Sequence, residues 1–202
     1  MKKKISDCPE LMKEFHTTLN GNLNPNNITA GSNEKFWWVC NKGHEWKTAC
    51  SKRTSEKTGC PYCSNHKVCK DNCLATIYPE LVKEWHPTLN GNLTPNNIIA
   101  GSNKKVWWIC NKGHEWKTSP NGKRGCPCCS NQKVCKDNCL ATTHPEIAKE
   151  FHITLNDNLT PNDVIAGSHK KYWWICKKGH EWQARVADRN NGSGCPICYR
   201  KS

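Results

Sequence analysis

The chain has 202 residues, 16 of them cysteine, and its formal net charge at neutral pH is +13. No apolar run approaches the ~20 residues that a membrane-spanning helix needs. No apolar core follows the lysines of the opening MKKKISDCPE, so we expect neither a membrane protein nor a secreted, disulfide-rich one. The positive charge makes a polyanion the first partner to consider.

Three repeats account for nearly the whole chain, and we place them at 1–67, 68–133 and 134–202. Each repeat opens with a predicted short amphipathic helix, such as ATIYPELVKEWH, in which Leu81 and Trp85 share a face. An E-x-H recurs at the end of this helix. Because residues two apart diverge on a helix, we expect a histidine that supports the helix C-terminus, not an acid–base pair.

A predicted β-hairpin follows, with KVWWIC as the first strand, CNKGH as a tight turn and HEWKTS as the returning strand. Symmetry about the turn pairs Trp108 with Trp116 and Trp107 with Lys117. Strand alternation then places Trp108 on the same face as Cys110, with Trp107 on the opposite face. The same register sets Trp37 opposite Lys47 and Trp173 opposite Gln183.

The face that carries Trp107 has two interpretations. The preceding amphipathic helix needs a packing partner, so we expect it to cover Trp107 and Ile109. The alternative is that Trp107 stacks on nucleic-acid bases, with Lys117 as a supporting cation.

The turn and a later C-P-x-C supply the same four side chains in every repeat, three thiols and one imidazole. Cys3His is a typical tetrahedral zinc set, and four protein ligands leave no open position for catalysis. We therefore predict three structural zinc ions per chain and no enzyme activity. The ligand sets are Cys40, His44, Cys60 and Cys63; Cys110, His114, Cys126 and Cys129; and Cys176, His180, Cys195 and Cys198.

The zinc interpretation predicts a reducing, intracellular compartment, such as the cytoplasm or nucleus of a host, or a virion. The linkers SNHKVCKDNCLAT and SNQKVCKDNCLAT add a C-x-x-x-C, which alone is too small a ligand set for another zinc ion. Seven cysteines have no role that the sequence assigns. They are Cys8, Cys50, Cys69, Cys73, Cys128, Cys135 and Cys139.

Zinc changes the charge only slightly. Each ion adds two positive charges and ionises three thiols, so three sites lower the formal charge from +13 to about +10. We expect the remaining cations to contact phosphates, beside the turns, on the returning strands and in the loops of variable length. The candidates are Lys42, Lys47, Arg53, Lys112, Lys117, Arg124, Lys178, Arg185 and Arg189.

Four motifs follow one another along the chain: P-E-L-x-x-E-W-H, G-S-x-x-x-x-W-W-x-C-x-x-G-H-x-W, G-C-P-x-C and then L-A-T. This pattern resembles the probable zinc-ribbon, treble-clef-like repeat family of bacterial and large DNA-virus proteins. The resemblance covers all three repeats and implies nucleic-acid binding. It also implies an arginine before G-x-G-C-P-x-C. Arg189 fits that position, whereas Arg53 and Arg124 are displaced from it. The asparagine and lysine content suits the AT-rich genome of a large virus.

The fold class expected from these features is small, zinc-stabilised α+β, with a short helix and a β-hairpin in each of three tandem repeats. The favoured function is non-enzymatic nucleic-acid binding through backbone charge, with DNA ahead of RNA. The alternative is a protein-interaction or structural module, such as a virion or scaffold component. A small-molecule substrate is not expected, because no P-loop, nucleophile elbow or open metal site is present in the sequence.

Overall fold

A computed structural model of the chain describes residues 2–122 and 125–200, and a β-hairpin forms the centre of each repeat. In the described residues every sheet is a pair of consecutive strands. Because a two-stranded sheet is marginally stable alone, each hairpin depends on further packing and on its metal. The strands are β1 Lys35–Val39, β2 Glu45–Ala49, β3 Val106–Ile109, β4 Glu115–Thr118, β5 Lys171–Ile175 and β6 Glu181–Arg185.

Short helices surround the hairpins, which confirms the predicted small α+β class. In the part of the chain that the structure describes, no helix has the length and hydropathy of a membrane span. The α-helices are α1 Pro9–Glu14, α2 Cys50–Thr54, α3 Leu74–Ile77, α4 Pro79–Val82, α5 Leu140–Thr143, α6 Pro145–Ala148, α7 Val186–Asn190 and α8 Pro196–Tyr199. Short 3-10 helices lie at Ile5–Asp7, Pro25–Asn27, Pro120–Gly122, Thr154–Asn156 and Pro161–Asp163.

The chain divides into two compact units. One contains Met1–Val106 with Ser119–Asn121, and the other contains Trp107–Thr118 with Gly122–Ser202. The first and third repeats each lie inside one unit, whereas the second contributes to both. The repeat boundaries at 67/68 and 133/134 stay predictions.

The helix expected at the start of the second repeat is divided into α3 and α4. The residue before a proline avoids the α region, and Tyr78, which precedes Pro79, has φ −133° and ψ 69°. His144 before Pro145 has φ −140° and ψ 65°, so the third repeat shows the same break between α5 and α6. The sequence pattern identified the helical region but not this interruption.

The E-x-H side chains diverge, as predicted, but the histidine has a different role from the one expected. The His16 ring lies 2.9 Å from the Glu45 carboxylate on β2 and accepts the backbone N–H of Leu19 at 3.1 Å. In the third repeat His152 contacts Glu181 in the same way, at 3.1 Å. The histidine therefore joins the loop after the helix to the hairpin.

The predicted hairpin register is confirmed in the first and third repeats. Trp38 pairs with Trp46 and Trp37 pairs with Lys47 in β1–β2. The corresponding pairs in β5–β6 are Trp174 with Trp182 and Trp173 with Gln183.

The second tryptophan of each W-W pair is the centre of its repeat. Trp38, Trp108 and Trp174 are 0% exposed, and each indole N–H donates to a carbonyl at the end of the returning strand, at 3.0–3.1 Å. Trp38 and Cys40 belong to one buried cluster, as the predicted alternation requires.

The expectation that the amphipathic helix covers the first tryptophan is wrong. Phe15, directly after α1, packs edge-to-face on Trp38 with ring centroids 5.8 Å apart. Phe151 packs on Trp174 in the same geometry at 5.5 Å. The helix therefore covers the face that carries the metal ligands, because the bulky apolar side chains on that face offer the larger area to bury. Trp37 is left half-buried on the opposite face.

A buried arginine links the parts of the first repeat. The guanidinium of Arg53 lies over Trp38 and Trp46, with its carbon 5.2 and 5.3 Å from the ring centroids. It also pairs with the Glu14 carboxylate of α1 and donates to the Thr58 carbonyl, just before the C-P-x-C. The guanidinium thus contacts the helix, the hairpin and the loop that leads to the C-P-x-C.

Arg189 repeats this arrangement in the third repeat. It lies 5.2 Å from both Trp174 and Trp182, pairs with Glu150 and donates to the Ser193 carbonyl. Each of the two arginine side chains is 6% exposed. The shared contacts show that Arg53 and Arg189 are structurally equivalent, although their spacing to the C-P-x-C differs by one residue.

We predict that Arg189→Ala destabilises the third repeat by about 2–4 kcal/mol, because it takes from the half-buried Glu150 its charged partner and removes the cation from beside two tryptophans. Arg185→Ala, at an exposed position four residues earlier, is the matched control and should change stability by less than ~0.5 kcal/mol. Hydrogen–deuterium exchange of β5 and β6 measures both effects. Equal exchange in the two variants would contradict the structural role of Arg189.

Candidate metal centres

Four donor atoms converge in each repeat at the spacing of a zinc tetrahedron. The Nδ1 atom of His44 lies 3.5, 3.6 and 3.4 Å from the sulfurs of Cys40, Cys60 and Cys63. A tetrahedron with Zn–S of about 2.3 Å and Zn–N of about 2.0–2.1 Å has edges of about 3.5–3.8 Å. The observed separations match those edges.

The other two sites have the same geometry. His114 Nδ1 lies 3.5 Å from each of its three sulfurs, and His180 Nδ1 lies 3.3–3.7 Å from its three. The sulfurs of the first and last cysteines of these two sites are 3.9 Å apart. The donor sets fit three zinc ions per chain, with the ligands that the sequence predicted.

The turn of the hairpin supplies the first two ligands. In the first repeat Gly43 donates to the Cys40 carbonyl at 2.9 Å, and Cys40 donates to the His44 carbonyl at 3.1 Å. Gly43 in this turn has φ 78°. An L-residue with a side chain rarely adopts this conformation, so glycine lets the turn close tightly around the metal position.

The C-P-x-C supplies the other two ligands from one turn of helical backbone. Ser64 donates to the Cys60 carbonyl at 3.1 Å, and Tyr199 in α8 donates to the Cys195 carbonyl at 3.1 Å. Proline at the second position suits a first helical turn, because its missing N–H needs no partner there. This turn brings two sulfurs three residues apart to the same side.

Neighbouring thiols in a site shift one another's pKa before metal binds. Burial opposes ionisation of Cys40, but the backbone N–H groups of Lys42 and His44 and the neighbouring thiols outweigh it, so its pKa is lowered to about 7. Cys110 shows the same balance and the same pKa, about 7. Burial and the neighbouring sulfurs raise the pKa of Cys63 to about 11. One thiol is therefore ready to bind a cation near neutral pH, whereas another holds its proton until metal displaces it.

The outer nitrogen of the zinc-binding histidine has a partner that the sequence analysis did not identify. His44 Nε2 lies 3.0 Å from Asp71, and His114 Nε2 lies 3.0 Å from Asp137. A carboxylate in this position fixes the tautomer and ring orientation of a zinc ligand and makes the imidazole a better donor. The K-D-N motif that both linkers repeat was the sequence signal that could have identified this aspartate.

The asparagine of the same K-D-N holds the linker against the C-P-x-C turn. Asn72 Oδ1 accepts the N–H of Cys69 at 2.8 Å, and its Nδ2 donates to the carbonyls of Tyr62 and Lys67 at 2.9 Å. Asn138 makes the corresponding contacts in the second linker. The linker is thus positioned so that its aspartate reaches the histidine.

The linker cysteines do not form a pair. Cys69 Sγ lies 3.6 Å from His44 Nε2, whereas Cys73 is buried and contacts Thr76 at 3.3 Å. All 16 cysteines are free thiols, in agreement with metal binding rather than a disulfide framework. The C-x-x-x-C spacing therefore reflects a loop contact and a core position.

The predicted phosphate-contacting cations fall into three groups. Those on the surface are Lys42, Lys47, Lys112, Lys117, Lys178 and Arg185. Arg53 and Arg189 are buried, so assigning them to phosphate contact was wrong, because their guanidinium groups already hold a carboxylate, a carbonyl and two indoles. Arg124 lies outside the described residues.

We predict that zinc affinity rises with pH. Binding needs three thiolates per site, and Cys63 with a pKa of about 11 keeps its proton throughout the neutral range. At least about one proton is therefore released per zinc ion above pH 7, and more below it as Cys40 also becomes protonated. Chelator competition at several pH values measures the effect. An affinity that does not change with pH would contradict the thiolate ligand set.

We predict that Asp137→Asn weakens zinc binding at the second site by about 10- to 100-fold, because His114 loses the carboxylate that orients it. Asp157→Asn removes an exposed carboxylate in the third repeat and serves as the matched control. Zinc transfer to a chromophoric chelator separates one weakened site from two unchanged ones. Identical transfer from the two variants would show that the aspartate has no role at the metal.

The comparison with known proteins agrees with this geometry. A search of curated proteins finds no match to the chain. The family model described as a probable treble clef zinc finger domain matches three segments, 11–66, 81–132 and 147–201. Each segment contains one complete Cys3His set, and together they cover most of the 202 residues. The chain therefore belongs to the treble clef zinc finger family described by that model, in three tandem copies.

Proposed function

We propose that the chain is a non-enzymatic zinc protein that binds nucleic acid, mainly through contacts with the phosphate backbone. The observation that carries the proposal is the repetition of exposed lysines at equivalent positions. Lys42, Lys112 and Lys178 each follow the first zinc-binding cysteine by two residues, and all three are exposed. Phosphate oxygens are natural partners for such cations.

The overall charge supports the same partner. With three zinc ions bound the chain keeps a formal charge of about +10, which favours a polyanion at physiological salt. Tandem repeats add avidity, because each bound repeat raises the effective concentration of the next. DNA is the first polymer to test, and a reducing intracellular compartment is the setting in which the thiolate sites would persist.

A structural role for zinc supports the absence of catalysis. Each site offers four protein ligands, so a zinc ion held there would have no position left for water or substrate. Zinc then acts on stability and on the orientation of the turn lysines. In this proposal the metal positions the binding surface and takes no part in a reaction.

The alternative is a protein-interaction module, and one observation favours it. Several large apolar side chains are exposed in equivalent places, including Leu19, Leu89 and Leu155 at 45%, 47% and 43%. Exposed apolar residues that recur in this way offer apolar contact area to a protein partner. Binding to a protein with no measurable binding to nucleic acid would favour this alternative.

We predict that replacing Lys42, Lys112 and Lys178 together with glutamine weakens nucleic-acid binding to about the same extent on unrelated sequences, because phosphate contacts carry no direct sequence information. If six or more phosphates are contacted, wild-type affinity should fall by about 10³ or more between about 50 and about 200 mM salt. The triple variant should lower the slope of log K against log salt by about three.

The matched control replaces Lys13, Lys83 and Lys149 with glutamine. These lysines are also exposed and also lie one in each repeat, but each pairs with the glutamate three residues before it, at 2.7–3.0 Å. The two triple variants change the net charge equally, so any difference between their affinities measures the effect of lysine position. Fluorescence anisotropy with labelled DNA and RNA at several salt concentrations is the measurement. Equal losses of affinity in both triple variants would mean that binding depends on net charge and not on the position of the lysines. No binding of the wild-type protein at low salt would overturn the proposal.

A further inference from the structure

In the first and third repeats the first tryptophan of the W-W pair lies on the face of the hairpin opposite the one that the amphipathic helix covers. Trp37 and Trp173 are half-buried, whereas their neighbours Trp38 and Trp174 are fully buried under Phe15 and Phe151. Core packing therefore accounts for the second tryptophan and not for the first.

An open groove of about 630 Å³ lies beside Trp37. Its lining combines apolar and basic side chains. Leu19, Leu23 and Trp37 provide apolar surface, and Lys35 and Lys47 provide positive charge. Glu34 is the carboxylate among the lining residues. A flat apolar group that carries a nearby negative charge suits such a groove.

Two hydrogen bonds with the Asn20 side chain hold the backbone of Trp37 in place. Asn20 Nδ2 donates to the Trp37 carbonyl at 2.8 Å, and the Trp37 N–H donates to Asn20 Oδ1 at 2.8 Å. Asn156 makes the same two bonds to Trp173 at 2.9 Å. These bonds occupy the strand edge, so a ligand meets the ring face and not an unpaired backbone. They also reduce the ordering that binding would otherwise cost.

A lysine accompanies this tryptophan in two of the repeats. Lys47 Nζ lies 6.0 Å from the Trp37 ring centroid, and Lys117 Nζ lies 5.6 Å from that of Trp107. In the second repeat Trp107, Lys117 and Lys133 line another open groove, of about 500 Å³. Gln183 takes the place of the lysine in the third repeat.

We propose that Trp37, Trp107 and Trp173 stack on unpaired nucleic-acid bases, with Lys47 and Lys117 turning to the adjacent phosphates. Every base has a π-face, so stacking tolerates any sequence. In a duplex those faces are covered by neighbouring bases, and single strands should therefore bind better. The third repeat lacks the lysine and should contribute least. This inference rests on the proposed nucleic-acid binding and names the form of nucleic acid that the surface takes.

The test compares binding of single-stranded and duplex oligonucleotides of about 24 nucleotides at one salt concentration. Replacing the three tryptophans with leucine should weaken single-strand binding by about tenfold or more, and duplex binding by less than about twofold. Replacement with tyrosine keeps an aromatic face and should preserve most of the affinity. Zinc content, measured on each variant, shows whether the repeats are still folded.

A second measurement uses the wild-type protein and so does not depend on the folding of any variant. A single-stranded oligothymidylate is compared with an abasic sugar–phosphate strand of the same length and charge. Stacking requires at least about tenfold weaker binding to the abasic strand. Equal binding to the two strands, or full single-strand affinity in a folded leucine variant, would overturn the stacking inference alone. If the wild-type protein binds neither single strands nor duplexes at low salt, the proposed function fails as well.

Discussion

Tetrahedral coordination of one metal ion by the hairpin turn and the C-P-x-C turn is the constraint on which each repeat depends. The two elements are up to 23 residues apart in sequence, and their sulfurs approach to 3.8 Å in the first repeat. A domain of this size has too little core to fold alone, whereas a structural zinc ion contributes about 10–16 kcal/mol of apparent binding free energy. That contribution is available only when all four ligands are in place, so metal binding and folding are one event.

Two further sets of contacts connect the metal centre to the rest of the repeat. The buried arginine ties the helix carboxylate and two tryptophans to the backbone just before the C-P-x-C, as Arg53 does with Glu14 and Thr58. The linker aspartate orients the zinc-binding histidine from the other side, as Asp71 does for His44. These contacts bury the charges of Arg53 and Arg189, whereas the lysines of the turns and of the returning strands β2 and β4 are among the cations that stay exposed.

The parts of this arrangement that the sequence predicted are local. The ligand sets follow from metal spacing, and the register follows from symmetry about a five-residue turn, so both were correct. Arg53 was taken for a surface cation because its partner Glu14 lies 39 residues away and no local pattern connects them. The face covered by the helix was also wrong, since two tryptophans in sequence offer a helix two apolar faces and only packing decides between them. The role of Asp71 was missed because a short linker motif does not show which side chain it approaches.

The central claim is that each repeat is held by one zinc ion with three sulfur ligands and one nitrogen ligand. Zinc K-edge X-ray absorption on the purified chain, with elemental analysis of the same sample, tests it most directly. The account predicts about three zinc ions per chain, each with about three sulfurs at ~2.3 Å and one nitrogen at ~2.0–2.1 Å. A shell of four sulfurs, or a chain with oxidised cysteines and little zinc, would contradict it.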